Sequence, residues 1–195
     1  YFASMGCRLS DHGLEFVDDS DYSLSDVTEA FRSLMRGNAP GEYAGRKFRS
    51  AVLHELAVLD WSKGWVQQFH IGALRNTNSR MMRTLGPDTG FDTIGDREMA
   101  RPLAKFLNKL DNDNRLAKTI LYNINPRDNE VFAAMTGNFQ DGSTPGKLQY
   151  GSAWWFLDQR DGMTRQLEAL SNMGLLSQFV GMLEQPVKIA LLLGR

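Results

Sequence analysis

Short apolar runs alternate along the chain with longer stretches in which apolar residues recur every three to four positions. The short runs read as strands and the long stretches as helices. Phe2 to Leu9 reads as a first strand, closed by the polar Ser10-Asp11-His12-Gly13. Leu24 to Arg36 has helical spacing, with Leu24, Val27, Phe31, Leu34 and Met35 on one face and Ser23 or Ser25 as a cap. Gly37 to Gly41 breaks the pattern at Pro40, and Glu42 to Ser62 resumes it as a longer helix with Val52, Leu56 and Leu59 expected inward. Trp65 to His70 is the next strand, followed by a polar loop, then a helix over Arg97 to Leu110. Lys118 to Ile124 is a third strand, and Pro126 opens a helix to about Phe139. Lys147 to Ala153 is a fourth strand, Gly162 to Met173 a helix, and Gln178 to Leu183 a fifth strand.

Strands alternating with helices imply an α/β chain with parallel pairing through right-handed crossovers. An open doubly wound sheet and a (β/α)8 TIM-type barrel are the two candidate architectures. No strand is followed by a glycine-rich phosphate fingerprint, which weighs against the first. Polar residues instead recur after each strand: Asp11-His12, His70 to Arg75, Asn123 to Arg127 and Trp154 to Asp158. Barrels carry their active sites at those strand ends. A barrel needs roughly 250 residues, so 195 residues imply an incomplete one, read as a single partial barrel over 1–195.

Composition narrows the function classes. With 22 Lys+Arg against 23 Asp+Glu the formal net charge is -1, which excludes a strongly basic nucleic-acid or membrane-surface binder. Apolar residues make up 42%, enough for a core. No apolar run approaches the roughly 18 residues of a membrane helix. A lone cysteine, Cys7, demands no oxidising compartment and reads as a small buried residue inside the first strand. A chain that opens at Tyr1 with strand-like text reads as cut from something longer, and a cytoplasmic location is expected.

Several residues could carry chemistry, and each has an ordinary structural alternative. Asp11-His12 could turn a carboxylate and an imidazole toward a pocket, or cap a turn. His70, at the end of an apolar strand, is a candidate ligand or a satisfied structural histidine. His54, in mid-helix, reads as structural. Arg75, Arg80 and Arg83 form a basic, amide-rich loop suited to an anionic small molecule, or to ion pairs with Asp88, Asp92 and Asp96. Trp154-Trp155 could wall a sugar-sized pocket or belong to the core.

Taken in order, these segments resemble the uronate isomerase family. The resemblance is carried by Gly6-Cys7-Arg8-Leu9-Ser10-Asp11-His12-Gly13, by Phe69-His70-Ile71-Gly72-Ala73-Leu74-Arg75-Asn76 with Asn78-Ser79-Arg80-Met81, and by Leu85-Gly86-Pro87-Asp88-Thr89-Gly90-Phe91-Asp92. Asn125-Pro126-Arg127-Asp128-Asn129 continues it. Gly137-Asn138-Phe139-Gln140-Asp141-Gly142 followed by Gly151-Ser152-Ala153-Trp154-Trp155-Phe156-Leu157-Asp158-Gln159 is the most distinctive block. The match runs from Tyr1 to about Leu183.

The resemblance implies the amidohydrolase superfamily, a (β/α)8 barrel holding one divalent metal, usually zinc. The implied reaction interconverts D-glucuronate with D-fructuronate, and D-galacturonate with D-tagaturonate, a proton moving between C2 and C1 through a cis-enediol. The implied partner is the hexuronate sugar, with no nucleic acid and no membrane; homo-oligomerisation stays open. By motif, Asp11 would end barrel strand four and His70 strand five, and the chain would hold about strands four to eight. Asp11 and His70 would be catalytic, His70 also a metal ligand, Trp154 would line the sugar pocket, and Arg75 is a weaker candidate for substrate contact. The family's strand-one His-x-His metal pair has no counterpart in these residues. After strand eight the family reads Gly-Met-Leu-Thr-Asp-Ser-Arg-Ser, whereas Gly181-Met182-Leu183-Glu184-Gln185-Pro186-Val187-Lys188 puts Gln185 for the Asp and Val187 for the Arg, opening a divergent tail over 184–195. Gln is no effective general base and Val cannot hydrogen-bond a hydroxyl. A one-residue shift would turn Glu184 to the opposite face of a strand. The fragment alone is therefore expected to be inactive, poorly soluble or self-associating through open strand edges. The alternatives are a metal-dependent hydrolase of the same superfamily and a non-catalytic remnant or interaction module.

Overall fold

The structure, a computed structural model, describes residues 1–181. Among the described residues six strands run in chain order: β1 (Leu9–Leu14), β2 (Val66–Ile71), β3 (Ala73–Leu74), β4 (Thr93–Ile94), β5 (Lys118–Asn123) and β6 (Leu148–Tyr150). The helices are α1 (Leu24–Met35), α2 (Glu42–Lys63), α3 (Ser79–Leu85), α4 (Ala100–Asn112), α5 (Asn129–Gly137) and α6 (Arg160–Met173). β1, β2, β5 and β6 form one parallel sheet in that order. Each helical crossover adds the next long strand beside the last, with no reversal of strand order among them. β3 and β4 pair antiparallel as a small ribbon in the connection after β2.

The sheet has two unlike faces because side chains alternate along each strand. On the helix side, Phe69 and Ile71 of β2 and Leu121 of β5 are fully buried against Leu103, Phe106, Leu107 and Leu110 of α4 and Phe132 of α5. The α4 positions recur at helical spacing, so one apolar stripe meets the sheet. Gln67 and Thr119 are buried on the same side, where Gln67 Nε2 donates to the Thr119 hydroxyl at 2.8 Å and that hydroxyl donates to the Ala117 carbonyl, leaving Gln67 Oε1 without a hydrogen bond. The opposite face presents Asp11, Gln68, His70 and Tyr122.

Several elements differ from the sequence expectation. The first strand begins at Leu9, not Phe2. Residues 1–6 are wound into turns in which Cys7 N–H bonds the Phe2 carbonyl, and Cys7 itself is only half-buried ahead of the strand. The polar Ser10-Asp11-His12 lies within β1, in register with Gln67, Gln68 and Phe69. The loop after β2 contains α3, capped by the Asn78 side chain on Met81 N–H.

The inward faces of the first two helices also differ. α2 buries Ser50, Leu53, His54, Ala57 and Asp60, with Ser10 donating to Asp60 at 2.5 Å, while Val52, Leu56 and Leu59 stay exposed. On α1, Ala30 is buried and Leu24, Phe31, Leu34 and Met35 are exposed. No strand forms over residues 178–181. The Val180 N–H goes to the Gln149 side chain at 3.1 Å rather than to a β6 carbonyl, and Leu176–Gln178 is a short 3-10 turn. The rest of that expected strand, with Gln185 and Val187, lies outside the described residues.

Candidate active site

The polar face of the sheet gathers its chemistry at the carboxyl ends of β1, β2 and β5. The register sets Gly13 beside His70 and Asp11 beside Gln68, so the Asp11 and His70 side chains rise from adjacent strands on one face, offset by two residues. Their contact is direct: Asp11 Oδ1 lies 2.7 Å from His70 Nδ1. A carboxylate only accepts, so Nδ1 carries the shared hydrogen and Nε2 of the neutral ring is left with its lone pair. His70 is largely enclosed and Asp11 is exposed to solvent. Such a dyad can take a proton at Nε2 while the carboxylate steadies the resulting imidazolium.

Aromatic rings fix the imidazole. Tyr122 stacks on it at 4.2 Å with the planes 8° apart, and Trp154 meets it edge-on at 4.6 Å. Tyr122 and Gln68 were not singled out in the sequence. The signal for them was present in the period-two pattern: Gln68-x-His70 and Ile120-x-Tyr122 point the same way once the two strands pair. His12, by contrast, points to the helix side, as a residue next to Asp11 in a strand must. It stacks on Phe69 at 5.5 Å, so it takes no part in the Asp11–His70 cluster.

Arg75 stands at the rim with its charge engaged. Its Nη1 reaches Asp92 Oδ2 at 3.0 Å and Asp88 Oδ1 at 3.2 Å, and its guanidinium lies 4.8 Å over the Trp155 ring. Of the two expected roles for this basic loop, the ion-pair network with Asp88 and Asp92 is formed at Arg75, while Arg80 and Arg83 project exposed from α3. Trp155 takes a left-handed backbone (φ 50°), uncommon for a bulky residue.

Behind the rim, Tyr150 is buried and shares its phenolic hydrogen between Asn123 Oδ1 (2.8 Å) and Asn129 Oδ1 (3.0 Å); burial pushes its phenol far above the ordinary tyrosine range, so it remains a donor. Asn123 in turn donates to the Asn125 carbonyl, and Arg127 donates to the Asp96 and Arg97 carbonyls, tying this loop to the one after β4. Burial also raises the Asp128 carboxyl against the opposing pull of Arg127.

A metal is the cofactor that the sequence resemblance implies. With Nδ1 committed to Asp11, His70 has one nitrogen to offer, in the carboxylate–imidazole arrangement common behind metal ligands. Among the described residues no group of three or more His, Cys, Asp or Glu is placed to hold an ion. His70 Nε2 and Asp11 Oδ2 are the donors this face offers, fewer than the three that would make a site.

Comparison with known proteins identifies the family. The glucuronate isomerase (UxaC) family model matches residues 1–189. The chain belongs to the glucuronate isomerase family. It is 62% identical over 183 residues to a uronate isomerase of Cellvibrio japonicus and 57% identical over 183 residues to one of Bacteroides fragilis, covering 94% of this chain and 39% of each relative. The chain thus spans about two fifths of the length of these relatives. Among solved structures, a Thermotoga maritima uronate isomerase superposes with a TM-score of 0.83 at 26% identity, over 93% of this chain and 38% of that one. A Caulobacter crescentus glucuronate isomerase does so at 0.78 with 30% identity, over 92% and 36%. In this family member Asp11, His70, Tyr122 and Trp154 come together from four separate segments, and Arg75 stands beside Trp155.

Proposed function

We propose that the chain is the part of a uronate isomerase that carries about strands four to eight of a (β/α)8 barrel, with residues 1–195 forming one partial barrel and 184–195 its divergent tail. The reaction is aldose–ketose isomerisation of a hexuronate. One proton leaves C2 and one is returned to C1, the hydroxyl proton passes from O2 to O1, and no electron is gained or lost. Asp11 and His70 are the catalytic pair: Asp11 holds the Nδ1–H and so keeps Nε2 basic and aimed into the pocket. Trp154 walls the sugar. Arg75, already ion-paired, orders the rim beside Trp155 and contributes positive charge near the substrate carboxylate. A divalent metal, zinc by family resemblance, would polarise the sugar when bound; were His70 Nε2 to hold it, that lone pair would no longer take a proton and Asp11 would orient the ring as a ligand instead, so no step of the reaction is assigned to the ion. No helix of the described residues is long and apolar enough to cross a membrane; the cytoplasmic setting is proposed from the family resemblance.

The single observation that carries the reading is the 2.7 Å Asp11–His70 contact at the ends of adjacent parallel strands, under the Trp154 ring. Two further features agree with it. The strand order follows chain order, as in a barrel. Val52 and Leu56 of α2, both exposed, line one hollow with His12, Gly13 and Leu14 of β1, the strand beside which further barrel units would pack.

The test is a chimaera in which residues 1–181 replace the matching segment of the Cellvibrio relative. It should convert D-glucuronate to its ketose, and Asp11→Asn or His70→Gln should lower kcat by at least about 100-fold, the scale of general-base catalysis. A folded but inactive chimaera would sink the isomerase reading. An active one indifferent to both substitutions would sink the site assignment.

A further inference from the structure

We infer that Tyr122 is a positioning residue for the His70 imidazole, locked in place by Gln68 and by the absence of a side chain at Gly151. The inference rests on the reading of His70 as an active-site group, and it concerns how the ring is aimed rather than what it reacts with.

The stacking of Tyr122 on His70 follows from register, because the two residues are paired neighbours on β5 and β2. Register alone leaves the phenol ring free to choose its rotamer. Two contacts remove that freedom. The Tyr122 hydroxyl donates to Gln68 Oε1 at 2.7 Å, drawing the ring back along β2 toward a side chain two residues before His70. The ring edge carrying Cδ1, Cε1 and Cζ passes directly across Gly151, where a Cβ would fall within 2.7 Å of all three atoms.

Gly151 cannot move aside. Its N–H bonds the Leu121 carbonyl at 2.8 Å, and its own carbonyl accepts from the fully buried Gln166 at 2.6 Å. Its φ is not among the positive values of the chain, so the backbone does not need a glycine there; the Tyr122 ring does. Tyr122 and Gln68 are themselves buried. The result is a rigid platform beneath an imidazole whose other contacts, Asp11 and Trp154, fix its edge. The platform sets the ring plane and hence the direction of Nε2, and displacement of a catalytic group by about 1 Å can cost on the order of 100-fold in rate.

The experiment reads the imidazole directly by NMR on the isotope-labelled 195-residue chain, with His70 assigned by the signals lost in His70→Gln. In the parent, the His70 ring protons should lie upfield of their positions in the urea-unfolded chain, the mark of a face-stacked aromatic neighbour. Tyr122→Phe keeps the ring and should keep that shift. Tyr122→Leu should abolish it, and Gly151→Ala, by expelling the ring, should abolish it while Tyr122 is still present. A parent without the upfield shift, or a Tyr122→Leu chain that retains it, overturns the inference. If Gly151→Ala does not fold, the parent and the two Tyr122 variants still decide. Uronate turnover by the chimaera is a separate reading: its absence with the ring shifts intact would remove the isomerase assignment and leave the platform standing.

Discussion

Asp88 and Asp92 both face Arg75, and the structure assigns them very different energetic weights. Asp92 is nearly buried: its side chain is 5% exposed, against 73% for Asp88. Both Asp92 oxygens are occupied, Oδ1 by the Asn76 N–H at 2.7 Å and Oδ2 by Arg75 at 3.0 Å. Replacing Asp92 by Asn leaves one acceptor oxygen and turns an NH2 toward a donor whichever way the amide flips. Setting a donor against a donor in a buried site costs about 1–3 kcal/mol. The same replacement at Asp88 loses one solvated ion pair, worth about 0–1 kcal/mol, and Asn tolerates the left-handed backbone there (φ 57°). Urea titration followed by tryptophan fluorescence measures both, and each 1 kcal/mol should move Tm by about 2–4 °C for a chain of this size. Asp92→Asn should be the more damaging by at least about 1 kcal/mol, and its fluorescence should change in the folded state, because the Arg75 guanidinium over Trp155 loses its anchor. Equal effects of the two substitutions would refute the clasp and return Arg75 to the role of a free cation awaiting substrate.

Two further outcomes follow from buried groups. Tyr150→Phe removes the donor shared by Asn123 Oδ1 and Asn129 Oδ1; Asn129 keeps a 2.8 Å bond from Asn123 Nδ2, so Asn123 Oδ1 bears the loss, about 1–3 kcal/mol in a denaturant titration, and no loss would mean the network is not formed. His54, on α2, has both ring nitrogens buried without hydrogen bonds, and burial first, then the Lys109 charge, hold it below its ordinary value of 6.5, against the opposite pull of Glu55 and Asp113. Between that lowered value and 6.5 the unfolded chain binds a proton that the folded chain refuses, so stability should fall as pH drops below 6.5, by at most about 1.4 kcal/mol per pH unit. His54→Gln should flatten the profile in that window; an unchanged slope would assign it to other groups.

What the sequence made legible depended on whether a segment's two faces differ in polarity. β2 and β5 were placed to within a residue or two because their helix-side positions, Phe69, Ile71 and Leu121, are uniformly apolar and buried. β1 was displaced by several residues because it carries Ser10, Asp11 and His12 in its middle and, among the described residues, lies at the edge of the sheet, so the strand lacks the apolar run that marked the others. α1 and α2 were found, but their inward faces were misjudged. Periodicity identifies an apolar stripe and does not say which way the core lies; in α2 the stripe that meets the sheet includes Ser50, His54 and Asp60, polar groups that no hydropathy pattern selects. α3 was hidden because seven residues with no buried side chain carry no stripe at all. Within the site, Asp11, His70 and Trp154 were legible as motif residues. Gly151 stood in a motif block, yet neither its role nor that of Tyr122 was legible, because both lie in a contact between strands.

The two faces of the sheet also separate stability from chemistry within single strands. Phe69 and His70 are neighbours in β2, as are Leu121 and Tyr122 in β5, yet the first of each pair is core and the second points to the site. A polar face would ordinarily be costly to cover. Here the groups are satisfied among themselves: the Tyr122 hydroxyl goes to Gln68, and His70 Nδ1 goes to Asp11. That pairing leaves His70 Nε2 and Asp11 Oδ2 without hydrogen bonds among the described residues, one basic nitrogen and one carboxylate oxygen on the open side of the sheet. The same pairings that make the face tolerable to the fold thus leave the two atoms on which the proposed chemistry depends.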